Sequence, residues 1–196
     1  MTAVGATMGP ETGDSEIACQ SQLGGVITTG GGFSTYFATP SWQKAAIDNY
    51  FTTNTNTLQA GYNENGRGYP DISFIGVNYP TVIQNKLVAL YGTSASSPVF
   101  AAMISLLNSE RHRNGESSVG FLNPTIYSYA YGGEHYKNTS NVFGGVNPFT
   151  DVTDGNTKCT AQDSTTGEII CCDSGFYAVE GWDPVNGMGS ITYGKS

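Results

Sequence analysis

The sequence predicts a loop-rich domain of α/β or β-rich class, from three features of its composition. The 196 residues suffice for one domain with a substantial core. Charged residues are 12% of the chain, about half the usual share, so the surface must be polar without being charged. Glycine is abundant, at 26 residues, and supplies turns, while an aromatic content of 12% excludes a disordered chain. No repeat or composition shift divides the chain, so residues 1–196 read as a single domain.

The elements follow in order. MTAVGAT (1–7) reads as a short buried strand entering a turn. GGVITTGGGFS (24–34) sets an apolar triplet in a glycine-rich frame, which predicts a strand and a turn that exposes backbone. In TPSWQKAAIDNYF (39–51), Ser41 can cap a helix whose apolar residues Trp42, Ala45, Ala46, Ile47, Tyr50 and Phe51 recur at helical spacing. Residues 52–66 are a polar loop. YPDISFIGV (69–77) is a nearly unbroken apolar run and reads as a strand. TVIQNKLVALYG (81–92) reads as a hairpin turning at Gln84-Asn85.

The best-defined helix runs from Ser94 to about Asn114. Pro98 falls near its first turn, where a missing N–H costs little. Val99, Phe100, Ala101, Ala102, Met103, Ile104, Leu106 and Leu107 are apolar on nearly every face, which predicts a buried helix. Arg111, His112 and Arg113 complement its C-terminal dipole, and Gly115 stops it. GFLNPTIYSYAYGG (120–133) predicts a shorter helix after Asn123-Pro124, and residues 134–196 read mostly as loops.

Charge and cysteine content bound the function. A net charge of −8 with only 8 Lys and Arg leaves no basic patch, so nucleic acid is not an expected partner. No stretch of about 18 apolar residues exists, so no membrane span is expected. Scarcity of both charge signs suits work in acid, where carboxylates lose their charge. Cys19, Cys159, Cys171 and Cys172 show no metal-ligand spacing and predict disulfides, with Cys159 joined to one of Cys171 and Cys172 and Cys19 to the other. The sequon Asn138-Thr139-Ser140 agrees with a secretory route. No leader precedes TAVGATMGPETGDSE, so an internal piece of a longer secretory protein is expected.

Chemistry concentrates in GTSASSP (92–98). A serine opening a helix meets the positive end of the dipole and free N–H groups, which would stabilise an anionic tetrahedral intermediate. The alternative is that Thr93 or Ser94 merely caps the helix. A serine nucleophile needs a base. His112 lies five turns down the helix and His135 sits in a Gly/Tyr loop, so neither suits a Ser-His-Asp arrangement. In acid a carboxylate base would serve better, because imidazolium dominates there.

GTSASSP resembles the serine signature of the sedolisin family, the serine-carboxyl peptidases, and in particular its tripeptidyl-peptidase-1-like members. TTGGGFSTYF (28–37), RGYPDIS (67–73), GFLNPTIY (120–127), FTDVTDG (149–155) and EGWDPVNGMGS (180–190) resemble further family segments and occur in family order. The resemblance implies a subtilisin-like α/β fold, with a mostly parallel sheet, a buried central helix after Ser94 and C-terminal calcium-binding loops. It implies a serine-type peptidase, tripeptidyl-peptidase-like or an endopeptidase, that hydrolyses peptide or protein substrates in acid, lysosomal or vacuolar, or secreted.

It also assigns roles. Ser94 is the expected nucleophile, with a glutamate base, a supporting aspartate and an oxyanion aspartate. All three carboxylates belong upstream of the segment matched by MTAVGAT, so this chain holds none of them. The expected partner is then the missing N-terminal half, and the chain alone is expected to be inactive. Asp14 lies on the wrong side of TAVGAT for the oxyanion role, and Asp71 follows a structural pattern. Tyr91 stands where the family often has serine. The Ca2+ ligands implied are Asp151, Val152, Val179, Gly181 and Asp183; calcium favours six or so oxygens, many of them loop carbonyls. The alternative reading is a non-catalytic, calcium-stabilised module.

Overall fold

The structure, a computed structural model, describes residues 1–131 and 148–191. The sequon Asn138-Thr139-Ser140 and His135 lie outside the described residues. The strands are β1 (Val4–Met8), β2 (Ile17–Ala18), β3 (Gly32–Ala38), β4 (Gly66–Tyr69), β5 (Ile72–Ile75), β6 (Tyr79–Ile83), β7 (Lys86–Leu90), β8 (Phe149–Thr150) and β9 (Ser190–Ile191). The helices are α1 (Lys44–Thr53), α2 (Thr93–Arg113) and α3 (Asn123–Tyr131). None of the described helices is long and apolar enough to cross a membrane.

The α/β expectation holds, but the sheet is not mostly parallel. β1 and β5 pair in parallel, while β2 folds back on β1 antiparallel, giving the order β2-β1-β5. The pairs β3-β4, β6-β7 and β8-β9 are all antiparallel. A parallel ladder requires a long crossover between neighbours, and among the described strands only the path from β1 to β5 makes one. The strand expected within 24–34 begins later, at Gly32, because Val26 adopts a positive φ of 61° that breaks an extended run. The hairpin turns where its sequence says: Gln84 and Asn85 both take left-handed φ values, 50° and 62°, as a two-residue turn between twisted strands requires.

The core is aromatic. Phe33, Tyr50, Phe74, Phe100, Tyr127 and Trp182 are buried, with Ile47, Ile72, Ile126 and Met188 around them. Gly68 is obligatory here, since a Cβ would collide with the Trp182 ring. Below this core sits one buried carboxylate. Asp71 Oδ2 accepts the Arg67 guanidinium at 2.6 Å and the Ala3 N–H at 2.7 Å. Its Oδ1 accepts the Tyr127 hydroxyl at 2.9 Å. The Gln43 side-chain amide extends the chain of bonds: its Nε2 donates to Tyr127 Oη at 2.6 Å and to the Gly68 carbonyl at 2.7 Å. Asp71 therefore joins the residue before β1, the β4-β5 corner, the start of α1 and α3, with both of its oxygens committed to these bonds.

The helix α2 departs from expectation. Only Ser96 and Phe100 are buried; Ala101, Ala102, Ser105 and Leu106 are exposed, Leu106 by 64%. Its inner face lies on β1 and β5, and nothing among the described residues covers the other. Hydrophobicity on every face reflects what a helix can bury, and the described residues supply a surface for one side only.

The cysteine expectation is half right. Cys159 pairs with Cys171. Cys19 is buried with Ala6 and Val77, its Sγ aimed at the Ile27 carbonyl, and Cys172 is exposed, so the second bridge is absent. Burial, and then the charge of Glu11, push the Cys19 thiol up to about 12, which makes it inert.

Replacing Asp71 with Ala strands the Arg67 charge and the buried Tyr127 hydroxyl. We expect a loss of about 3–5 kcal/mol in urea unfolding; a loss under about 1 kcal/mol would contradict the central role given to this carboxylate.

Candidate active site and cation loop

Ser94 stands at the exposed N-terminal end of α2. Gly92 is the N-cap, with φ 147° and ψ 149°, a region essentially closed to other residues. Its N–H donates to the Gly76 carbonyl at 2.7 Å, which hangs the turn on the end of β5. Gly76 must be glycine, because a Cβ would strike Ala6 and crowd Ser96 Oγ. Ser96 then locks the helix to the strand: its Oγ reaches the carbonyls of Phe74 and Ile75, each at 3.1 Å.

No side chain caps α2. Neither Thr93 nor Ser94 does what the capping alternative requires, and the Ser94 hydroxyl makes no hydrogen bond to any described residue. Ala95 and Ser96 turn their N–H groups to the Gly92 carbonyl, at 2.9 and 3.4 Å, while those of Thr93 and Ser94 have no acceptor among the described residues and stand at the positive dipole end. Tyr91 lies three residues before it, half exposed, and donates its hydroxyl to Asn78 Oδ1 at 2.8 Å. His112 is about 27 Å down the helix at 1.5 Å per residue, and there its Nε2 bonds to Ser118 Oγ. Asp14 lies in an exposed turn, accepting the Thr12 hydroxyl at 2.7 Å. No described base therefore stands beside Ser94.

A second site forms in the C-terminal loops. Pairing of Thr150 with Ser190 places Asp151 directly after β8 and beside the segment that precedes β9. Asp151 Oδ2 accepts the Gly181 N–H at 2.7 Å. Asp183 Oδ2 accepts the Val179 N–H at 3.0 Å, while its Oδ1 takes the N–H groups of Val185 and Asn186 at 2.9 and 2.7 Å. Asp183 thus caps its own turn as well as bracing the loop. The Val152 carbonyl accepts Asn186 Nδ2 at 2.9 Å. Of the five residues singled out by sequence, the structure gathers all into this one pair of loops.

The donor set tests well for a hard cation. Two carboxylates converge on Val179–Asp183, and among the described residues neither pairs with a lysine or arginine. Burial raises both acids, and their mutual repulsion adds to the shift of Asp183, which reaches about 8. Asn186 Oδ1 is buried in the same turn without a partner among the described residues. Oxygen donors and uncompensated negative charge match calcium chemistry. Asn49 of α1 and Tyr131 of α3 also border this loop; they come from distant segments, and no local spacing in the sequence announces them.

Asp183 carries a pH signature. Its folded acid is weaker than the unfolded one, near 3.9, so the contribution of Asp183 to metal-free stability is fully present below about pH 4 and is lost as pH rises through about 8. In chelating buffer the melting temperature should decline over pH 4–8, and Asp183→Asn should flatten that slope. A slope unchanged by the substitution would contradict the assignment.

No protein-family profile matches the chain. Among curated proteins it is 37% identical to physarolisin of Physarum polycephalum over 185 residues, 94% of this chain and 29% of that protein. It is 35% identical to tripeptidyl-peptidase 1 of Dictyostelium discoideum over 161 residues, 82% of this chain and 23% of that protein. The chain thus spans less than a third of the length of these relatives. The fold resembles a Pseudomonas sedolisin, a serine-carboxyl proteinase solved with two molecules of pseudo-iodotyrostatin, with a TM-score of 0.60 and 26% identity. That match covers 97% of this chain and 43% of the solved one. The chain belongs to the sedolisin family and corresponds to a C-terminal portion of its members.

Proposed function

We propose that this chain supplies the nucleophile and the calcium loop of a serine-carboxyl peptidase acting on peptides or proteins in acid. The observation that carries the reading is the Ser94 hydroxyl: exposed, unbonded, not used as a cap, and presented on a Gly92 turn at the head of α2. Ser94 Oγ attacks the scissile carbonyl. Its proton passes to a carboxylate contributed from outside these 196 residues. The oxyanion forms at the N–H groups opening α2, with an aspartate from the same outside source beside it. The intermediate collapses as the C–N bond breaks and the amine leaves with a proton, and water then hydrolyses the acyl-serine. Tripeptide removal is the action we favour, after the name of the Dictyostelium relative.

Asp151, Asp183 and the carbonyls of Val152, Val179 and Gly181 would hold Ca2+, which supplies positive charge to fasten the loops. The acidic setting agrees with a lysosomal or vacuolar site or with secretion, and the Cys159–Cys171 bridge suits an oxidising route. A second reading, a module that complements a separate N-terminal half, is favoured by the uncharged outer face of α2. From Ser94 to Ser109 its exposed positions carry only serine, proline, alanine and leucine, the composition of a helix face packed against protein.

Two experiments test these readings. The purified chain should show no hydrolysis of peptide substrates in acid; Ser94-dependent turnover by the chain alone would refute the external base. Chelation should lower the melting temperature by about 5–10 °C for a site held at 100-fold saturation, and an unchanged transition would remove calcium from the account.

A further inference from the structure

The loop between the two carboxylates is gripped at one point by a hydroxyl from another part of the chain. Tyr131, at the end of α3, accepts the Trp182 N–H at 2.6 Å. The side-chain amide of Asn49, in α1, reaches the same hydroxyl. Gly181 lies so close that a Cβ would collide with Tyr131 Oη and come within 3.2 Å of Asn49 Nδ2. On its far side Trp182 is held by its indole Nε1, which donates to the Pro70 carbonyl at 3.0 Å.

The Trp182 N–H and the Gly181 carbonyl belong to one peptide unit. That unit is planar, and trans geometry points the two groups in opposite directions. A hydrogen bond that fixes the N–H therefore fixes the direction of the carbonyl. The Gly181 carbonyl must face away from Tyr131. Gly181 also gives its own N–H to Asp151, so both peptide planes flanking its Cα are set by named partners.

We infer that Tyr131, braced by Asn49, is the positioning residue that aims the Gly181 carbonyl toward the cation bound between Asp151 and Asp183. It touches no cation itself; it acts through the peptide that joins Gly181 to Trp182. This inference rests on the calcium reading given above.

The test is calcium titration calorimetry on the whole chain and on Tyr131→Phe, with the melting temperature in chelator as a control for folding. The variant should bind calcium about tenfold more weakly or worse, while its metal-free melting temperature stays within a few degrees. Exchange of the Trp182 amide hydrogen should quicken in the variant. Asn49→Ala should weaken calcium in the same direction and by less. If the unaltered chain binds calcium and Tyr131→Phe binds it within twofold of that affinity, the positioning role is wrong. If the unaltered chain binds no calcium, the calcium reading itself fails and this inference falls with it.

Discussion

One buried carboxylate organises the molecule. Asp71 holds the entry to β1 through the Ala3 N–H, the β4-β5 corner through Arg67, and α3 through Tyr127. Its own carbonyl accepts the Met188 N–H, and Gly187 lies directly on its backbone, so the C-terminal loops dock on the same residue. A charge taken out of water is tolerable only with a full set of partners, and each partner here comes from a different segment. Burial, followed by the Asp71 charge, holds the Tyr127 hydroxyl well above its usual range, so it remains a donor at every working pH. The segments cannot move independently without exposing that carboxylate or leaving it short of a donor.

The two candidate sites are linked by this arrangement. β5 (Ile72–Ile75) connects Asp71 to Gly76, whose carbonyl carries the Gly92 turn, and Ser94 follows. In the other direction, the Pro70 carbonyl and the Asp71 carbonyl fasten Trp182 and Met188, which bracket Asp183. Fastening the C-terminal loops therefore braces the strand that presents the serine. That gives a physical reason for the proposed cation loop to accompany a nucleophile proposed at the head of α2.

Much of this was legible in the sequence where the signal is local. The span of α2 follows from its apolar run and the closing Arg111-His112-Arg113, and the β6-β7 turn follows from Gln84-Asn85 between two apolar stretches. The gathering of Asp151, Gly181 and Asp183 followed from family resemblance, because residues 30 apart carry no shared period. What failed was non-local. Apolar periodicity reports that α2 can be buried, not whether these 196 residues supply its cover. Cysteine spacing cannot reveal that Cys19 lies beneath Gly25 in a small apolar cluster, away from any partner. Asp71 read only as part of a pattern, since its three partners lie 4, 56 and 68 positions away.

The central claim is that Ser94 is a nucleophile whose activating carboxylates come from outside this chain. It is tested most directly by acylation with a serine-directed fluorophosphonate in acid, read as Ser94 labelling by mass spectrometry. The comparison is between this chain alone and a chimera in which it replaces the matching 185-residue portion of physarolisin. The account predicts stoichiometric labelling of Ser94 in the chimera and almost none in the chain alone. Equal labelling of both, or labelling of the chimera at a residue other than Ser94, would contradict it.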